Sequence, residues 1–478
     1  MSDRGIAPKL TLFDVTNLVV GAIIGADIYV ASSFGAAYLG PSSLIVWAVA
    51  GVIAIVIALC FAQCAAYLPR VGGPYAYAKD AWGQFPGFIV GWSLWLAEWI
   101  SLAVFPVAFV RYLTFFLPNL DPISQVLVKV GFVAFLIVSN VLGVKAAGRT
   151  NDILTIIKLA PLILFMVAGA GYALLNTATA ASNLAPFAPF GYSSFGLTLV
   201  LVFWAYAGFE ISTIPADVVE DPGRVIPRAI ILGMTIVTVF YLTTNVVLFA
   251  IRPSPQLATD LAPLASATAS ILGTGSILAI LGGLVVSVGA LISVTGSDES
   301  GMIGTSRLGY ALAVDGLFPK IFAKVHPKYK TPYLAIIVQG ATALVASLFG
   351  NLGTLVAVSV FFLAVAYAAT CASILSFRRR DPAPAFLLRG GVTLPVVGVV
   401  FSVYLITQCT VSQIAIGLIL LGIGVPMYLA FTPKKELTIL KEELLTPGAL
   451  QEEQRRLRER FLAHALSHLR SLIGKGRE

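Results

Sequence analysis

The chain has 478 residues, of which 58% are hydrophobic and only 11% are Asp, Glu, Lys or Arg, and its mean hydropathy is +0.91. Soluble domains usually carry about 25% charged residues, so the composition excludes a soluble globular protein and indicates an integral membrane protein. The formal net charge of +8 comes from basic loops between apolar segments and gives no sign of nucleic-acid binding.

Twelve apolar runs are long enough to cross a bilayer, whose hydrocarbon core needs about 20 residues of helix. In chain order, spans 1 to 12 cover residues 12–37, 42–67, 85–117, 123–144, 151–175, 193–217, 227–251, 270–305, 332–350, 354–376, 391–411 and 413–431. The first run is too long for a secretory signal peptide and lacks a small-residue cleavage site. We therefore predict an all-α membrane protein with twelve transmembrane helices.

The basic residues predict the orientation of the spans. With the N-terminus inside, 27 of the 31 Lys and Arg fall in the two tails, in the inner loops or, for Arg228, at the inner end of span 7. The exceptions are Arg111, Lys129 and Arg252 near the outer side and Lys158 within span 5. Because inner loops are enriched in Lys and Arg, we predict a multi-pass protein of the cell membrane with both termini in the cytoplasm.

Residues after span 12 differ in composition from the rest. Residues 434–478 hold ten Lys or Arg and seven Glu, with Leu at helical spacing. This pattern predicts an amphipathic helix on a solvent or membrane surface. A partner-binding or regulatory tail is the alternative.

We predict no cofactor and no metal, because no metal or nucleophile cluster is visible within the predicted spans. The four cysteines, Cys60, Cys64, Cys371 and Cys409, all fall inside predicted spans, and we interpret them as packing residues. The three histidines, His326, His464 and His468, fall in predicted cytoplasmic segments. A membrane enzyme is therefore the weakest hypothesis, and the absence of a GxxxxGK[ST] motif argues against direct drive by ATP.

Two spans carry residues that weaken helices. Span 1 contains "GAIIGADIYV", with Gly21, Gly25 and Asp27, and span 6 has Gly208 and Glu210 in its middle. Glycine weakens a helix by about 1 kcal/mol relative to Ala, and unwound backbone inside a membrane is tolerated only where it lines a cavity. Paired interruptions five spans apart predict a transporter built from inverted repeats. Small-residue helix packing would explain the glycines but not the acids.

Four stretches together resemble the amino acid/polyamine/organocation superfamily. They are "VVGAIIGADIYV" (19–30), "LPRVGGPYAYAKDAWG" (68–83), "FWAYAGFE" followed by "VVEDPGRVIPRAI" (203–230), and "SRLGYALAVDGLFPKIFAKVHPKYKTPYLAI" (306–336). The resemblance extends in order over about residues 10–430.

The resemblance implies a leucine-transporter type of fold with discontinuous helices 1 and 6. After a cytoplasmic tail at 1–11, residues 12–175 and 193–376 would form two inverted repeats of five helices each. Residues 391–431 would add helices 11 and 12, and 432–478 would be the cytoplasmic tail.

The resemblance also implies where a substrate binds. Backbone amides of span 1 would hold an α-carboxylate, and carbonyls of span 6 would hold an α-amine, in agreement with the chemistry of helix ends. The matching positions are Ile24, Gly25 and Ala26 on span 1, and Phe203, Trp204, Ala205 and Gly208 on span 6. Trp204 would be a gating aromatic that could stack on a cation; core packing is the alternative.

Lys158 stands alone in the middle of span 5. No acid lies three or four residues from it, so a local ion pair is excluded. A buried lysine loses its proton more readily than one in water. The resemblance implies that this lysine takes the place of a sodium site and couples transport to protons; a static structural cation is the alternative.

Five acids fall inside spans, namely Asp27, Glu98, Glu210, Asp298 and Glu299. Carboxylates within a membrane are functional candidates by default. Glu210 matches an acid that the resemblance links to proton handling. Asp298 and Glu299 are further candidates for proton coupling. They point about 100° apart, so we expect at most one to face a cavity. Glu98 lies on span 3, which would flank the site, although it could equally be a packing acid.

Asp27 occupies a position where the family usually has glycine. In one interpretation it caps the helix that resumes after the break, and in the other it is a carboxylate that binds substrate or carries a proton; the two are not exclusive. It would repel a substrate carboxylate unless it is protonated or paired with Lys158 or a substrate amine. It therefore favours a cationic substrate such as a polyamine or a basic amino acid.

Together these observations predict a secondary transporter of amino acids or related amines that works by alternating access and is coupled to protons. Its partners would be the small-molecule substrate, protons and the lipid bilayer, without nucleic acid. An exchanger of polyamines or cationic amino acids is one alternative. A membrane nutrient sensor that uses the same fold without transport is another.

Overall fold

A computed structural model describes residues 10–69, 72–143, 148–213, 219–378 and 391–433, without the side chains of 148–157 and 211–212. Across these ranges the chain is helical and has no named strand; a single parallel bridge pairs Leu10 with Val219. The predicted tails lie outside the described residues at 1–9 and from 434 onward.

Seventeen α-helices follow one another within those ranges. They are α1 (Leu12–Ile23), α2 (Ala26–Leu39), α3 (Ser43–Tyr67), α4 (Gly73–Trp82), α5 (Gln84–Leu113), α6 (Pro122–Leu142), α7 (Gly148–Leu175), α8 (Thr177–Asn183), α9 (Phe195–Phe203), α10 (Pro222–Ile251), α11 (Ser254–Thr259), α12 (Pro263–Ile271), α13 (Ile277–Val314), α14 (Tyr333–Phe349), α15 (Leu352–Phe377), α16 (Thr393–Gln408) and α17 (Val411–Phe431).

Eight helical segments of the described chain are long and apolar enough to cross a bilayer, with α2 and α3 counted as one continuous segment. Four shorter apolar helices, at Leu12–Ile23, Phe195–Tyr206, Tyr333–Phe349 and Thr393–Gln408, fall within predicted spans 1, 6, 9 and 11. The structure therefore confirms an all-α membrane protein, while the count of twelve crossings stays a prediction.

The helices divide into an inner and an outer set. In the most apolar stretches of α5 and α15, 78% and 72% of the residues are buried, against 22% in α6 and 17% in α17. Because the exposed residues of α6 and α17 are largely apolar, such as Phe135 and Ile419, these helices present a surface suited to lipid rather than water. The centre of the bundle is thus built around α5 and α15.

Two ion pairs connect the segments between the long helices. Arg252, just after α10, lies 2.6 Å from Asp260, which precedes α12 and whose backbone carbonyl accepts a hydrogen bond from Ser33 of α2. Lys79 of α4 lies 2.7 Å from Asp315 at the end of α13, and the Tyr75 hydroxyl donates to the same carboxylate. Burial, followed by this hydrogen bond, raises the pKa of the Tyr75 phenol, so Tyr75 remains a donor to Asp315.

Candidate functional site

The first helix break separates α1 from α2. The helical backbone ends at Ile23 and resumes at Ala26, with Gly25 as the N-cap residue at φ −136° and ψ −139°. A Cβ atom on Gly25 would lie 2.8 Å from the Cβ of Ser297 on α13, closer than side chains approach one another. Glycine is therefore required here by the proximity of α13. The break lies within the stretch that the glycines of span 1 predict.

Breaking a helix inside a membrane leaves carbonyl groups without partners. Side chains of three other helices donate hydrogen bonds to them: Lys158 of α7 to Gly21, Tyr241 of α10 to Ile23 (3.0 Å), and Ser293 of α13 to Ile24 (3.5 Å). The broken end of α1 is thus held by groups from outside the segment.

The second break follows α9. A 3-10 turn at Trp204–Tyr206 is followed by Gly208 with φ +120° and by a second 3-10 turn at Phe209–Thr213. A Cβ on Gly208 would lie 3.0 Å from both the carbonyl carbon and the carbonyl oxygen of Ala22. The two breaks therefore touch, backbone against backbone, and Gly208 is required by both its dihedral angle and this contact.

Glu210 stabilises the second break from within. Its Oε2 accepts a hydrogen bond from the Gly208 N–H at 3.0 Å and another from the Tyr367 hydroxyl at 2.9 Å. Its other oxygen, Oε1, is buried and accepts no hydrogen bond from an N–H or hydroxyl of the described residues. The Glu98 carboxyl of α5 lies in hydrogen-bond contact with Glu210.

A cavity of about 40 Å³ lies where the two breaks meet. Its walls are Ala22, Asp27, Glu98, Ser101, Leu102, Phe105, Trp204, Ala207, Gly208, Ser297, Ser300, Gly301 and Leu363. Small-molecule pockets usually measure about 300–1,000 Å³, so this conformation is contracted around the site. The walls must separate before an organic solute can enter.

Asp27 and Lys158 are the charged groups at the first break. They are 5% and 6% exposed, and their charges act on one another. No ion pair at 4.0 Å or less joins them among those formed by the described residues. Lys158 instead donates to the Gly21 carbonyl, and Asp27 lines the cavity.

The sequence matches the amino acid permease family over residues 10–431. This chain belongs to the amino acid permease family. The match confirms the resemblance to the amino acid/polyamine/organocation superfamily, and it makes the protein a membrane transporter rather than an enzyme.

Several relatives are similar along most of their length. The chain is 29% identical to the branched-chain amino acid permease BcaP of Bacillus subtilis (strain 168), over 90% of this chain and 94% of that protein. It is 29% identical to the methylthioribose transporter of the same organism, over 79% and 83%. It is 27% identical to the serine/threonine exchanger SteT of that organism, over 91% and 99%.

A solved structure supports the fold. A Na⁺-coupled sialic acid symporter, in a substrate-bound outward-open state, superposes with a TM-score of 0.55 at 14% identity, over 84% of this chain and 89% of that one. The likeness places the permease in the leucine-transporter type of fold. It carries no information on substrate.

The predicted binding residues fall into two groups. Asp27, Trp204 and Gly208 line the cavity. Ile24 and Gly25 form the first break and Ala26 begins α2, but none of the three lines the cavity. Phe203 and Ala205 are buried and do not line it either. The Trp204 indole N–H donates to Ser101 Oγ at 3.1 Å, and its ring lies 6.1 Å from that of Phe105. The position of Trp204 in the wall is compatible with the predicted gating role.

The capping alternative for Asp27 is wrong. Gly25 is the N-cap of α2, and Asp27 is the second residue of the helix. The helix resumes two residues earlier than a cap at Asp27 requires, because the break occupies only Ile24 and Gly25.

The adjacent acids of α13 do not line the cavity. Glu299 accepts a hydrogen bond from Ser139 of α6 at 2.9 Å. Asp298 is 1% exposed, and its Oδ1 has no partner among the described residues. The cavity wall from this helix consists instead of Ser297, Ser300 and Gly301, and a proton-coupling role for either acid remains a prediction.

The sequence interpretation missed several wall residues, above all Ser101, Ser297 and Ser300. Serine is common in membrane helices as a packing residue, so none of these stands out alone. The spacing of Ser297, Ser300 and Gly301, at three and four residues, places them on one helix face and could have marked a small polar stripe.

Proposed function

We propose that this permease transports amino acids or related amines by alternating access and that transport is coupled to protons. The observation that carries the proposal is the cavity at the contact of two broken helices, with the carboxyl groups of Asp27 and Glu98 in its wall. Carboxylates out of water attract an ammonium group strongly, which suits a substrate with an amine.

The two ends of an amino acid would meet different chemistry at this site. The N-terminus of α2 offers the amides and the positive dipole end that favour a carboxylate. The acids of the wall favour the amine. The relatives include a branched-chain amino acid permease and a serine/threonine exchanger, and both names denote substrates with these two groups.

Movement of the broken helices would open the contracted cavity. In the proposed scheme α1, α2, α3, α9 and α10 rock against the remaining helices and expose the site to each side in turn. The scheme includes the predicted topology of twelve crossings, two inverted repeats at 12–175 and 193–376, and both termini in the cytoplasm.

Lys158 would couple these movements to protons. It joins α7 to the broken end of α1 through Gly21, and its charge acts on Asp27 across the break. Loss of its proton would remove a strong charge-assisted hydrogen bond and free α1 to move.

Uptake by purified protein in liposomes tests the proposal. We expect labelled amino acids to accumulate when the outside is more acidic than the inside, and not when the gradient is collapsed. Counterflow without gradient-driven accumulation would favour obligate exchange, which the similarity to the serine/threonine exchanger makes the second candidate. Neither accumulation nor counterflow with any amino acid or amine would refute the proposal.

Asp27→Gly tests the contribution of this acid to substrate choice. Because Asp27 adds a negative charge to the cavity wall, we expect its removal to lower competition by basic amino acids and diamines by about tenfold relative to neutral amino acids. Asp27→Asn, which keeps the shape, should reproduce the shift. Unchanged preference and pH dependence in both variants would show that Asp27 is only a structural residue.

A further inference from the structure

Glu98 and Glu210 meet on the side of the cavity formed by α5 and the second break. Glu98 lines the cavity, and its carboxyl is in hydrogen-bond contact with that of Glu210. Glu210 is 0% exposed, with Oε2 occupied by the Gly208 N–H and the Tyr367 hydroxyl. Oε1 is the buried oxygen that still needs a donor.

Among the described residues, the groups that act on this carboxyl pair are acidic or neutral. Asp27 on α2 acts on Glu98, and Tyr367 on α15 contacts Glu210. Lys158 of α7 acts on Asp27 and donates to Gly21. No lysine or arginine within the described part of the chain forms an ion pair with Glu98 or Glu210.

Two ionised carboxylates have only acceptor oxygens and cannot hydrogen-bond to each other. In contact and away from water, they also repel strongly, so such pairs hold one proton between them. One proton changes the charge of the pair from −2 to −1 and supplies the donor that Oε1 of Glu210 needs.

We propose that Glu98 and Glu210 share one proton and form a proton-binding site between α5 and the second helix break. The proposal rests on the proposed function and deepens it, because it adds a carboxyl proton site at the second break to the coupling role of Lys158 at the first. With the proton present, the pair holds α5 against the break. When the proton leaves to water, the carboxylates repel, and the force acts on Gly208 through its hydrogen bond to Glu210.

Infrared spectroscopy of the purified full-length protein tests the pair independently of transport. We expect the C=O stretch of a protonated carboxylic acid in the wild type, and its loss as the pH is raised. In the difference spectra, Glu98→Gln and Glu210→Gln should each remove the same band, because the remaining carboxylate then accepts hydrogen bonds from the glutamine amide. Glu220→Gln, at an exposed glutamate before α10 and outside the cavity wall, is the matched control and should keep the band.

A conservative variant distinguishes loss of the proton-binding site from loss of the folded structure. Glu98→Asp keeps the acid and should retain a protonated-carboxyl band at a changed frequency. A Glu98→Gln protein that unfolds at the wild-type temperature and keeps the wild-type band would overturn the shared proton.

Transport gives a second readout. In liposomes, an inward proton gradient should stimulate wild-type and Glu220→Gln uptake but not that of Glu98→Gln, for which the ratio of uptake with and without the gradient falls to one. If Glu98→Gln keeps the wild-type ratio, the pair is not the coupling site. If the wild type itself shows no transport, the proposed function fails while the infrared result still decides whether the pair shares a proton.

Discussion

The two helix breaks differ in how their free backbone groups are hydrogen-bonded. At the first break, the free carbonyls are satisfied by side chains from α7, α10 and α13. At the second, the Gly208 N–H is satisfied by Glu210, two residues further along the same segment. The first break is therefore held by donors from other helices. At the second, a residue of the same segment supplies the acceptor, and Tyr367 of α15 holds that residue in turn.

This difference suggests how each break responds when helices move. Separation of α1 from α7 or α10 exposes carbonyls at the first break and costs free energy for each lost donor. The second break can move as a unit, since Glu210 travels with Gly208. The backbone contact of Gly208 with Ala22 joins the two breaks, so movement of one acts on the other.

We expect the largest loss of uptake and stability for Gly208→Ala, because the added side chain disrupts the contact between the two breaks. A side chain at φ +120° costs about 1–3 kcal/mol, and the added Cβ would lie 3.0 Å from the Ala22 backbone. We expect uptake in liposomes to fall more than about tenfold and the thermal unfolding temperature in detergent to drop.

Gly131→Ala on α6 is the control for that variant, because a Cβ there would meet no atom within 4 Å. It should leave both uptake and unfolding temperature near the wild-type values. Equal behaviour of the two variants would show that the contact between the breaks is unimportant.

Lys158→Met removes the charged donor at the first break. A hydrogen bond from a charged group contributes about 1.5–3 kcal/mol, so proton-driven accumulation should fall about tenfold or more. Lys129→Met is the matched control and should keep wild-type accumulation. Lys129 also donates to a backbone carbonyl, that of Ser347 on α14 at 2.9 Å, but away from the cavity. Full accumulation in Lys158→Met would refute the coupling role.

Tyr241→Phe removes a neutral donor from the same break and should have the smallest effect. Leaving the Ile23 carbonyl without this donor costs about 1–3 kcal/mol, measured as a lower unfolding temperature. Tyr112→Phe is the comparison: its hydroxyl donates to Tyr29 within the continuous helix α2, where the backbone supplies a partner. An equal loss in both variants would mean that the break has no special need for donors.

Much of the fold could be predicted because local signals control it. Apolar runs give the membrane helices, and Gly25 and Gly208 lie at the two breaks. The exact cap could not be predicted: Gly25 rather than Asp27 is the N-cap. The contact that requires glycine at this position comes from Ser297 on α13, which is distant in sequence.

The site was predicted less completely, because its pairs form between helices distant in sequence. Nothing near Glu98 in the sequence indicates that it meets Glu210. The expectation that at most one of Asp298 and Glu299 faces the cavity followed from helix geometry, but neither lines it. The rotation of a helix about its axis is set by contacts with helices distant in sequence. The residues next to it in the sequence do not reveal those contacts.

The contracted cavity has a consequence for measured affinity. At about 40 Å³, it cannot admit an amino acid, so only the fraction of molecules in a wider form is competent to bind. The apparent dissociation constant then equals the intrinsic constant divided by that fraction, and an open population of about 1% weakens it about 100-fold. A substitution that widens the cavity, such as Phe105→Ala, would raise the apparent affinity without adding a contact. Tightness of binding in this protein is governed by a conformational equilibrium as well as by the groups that touch the substrate.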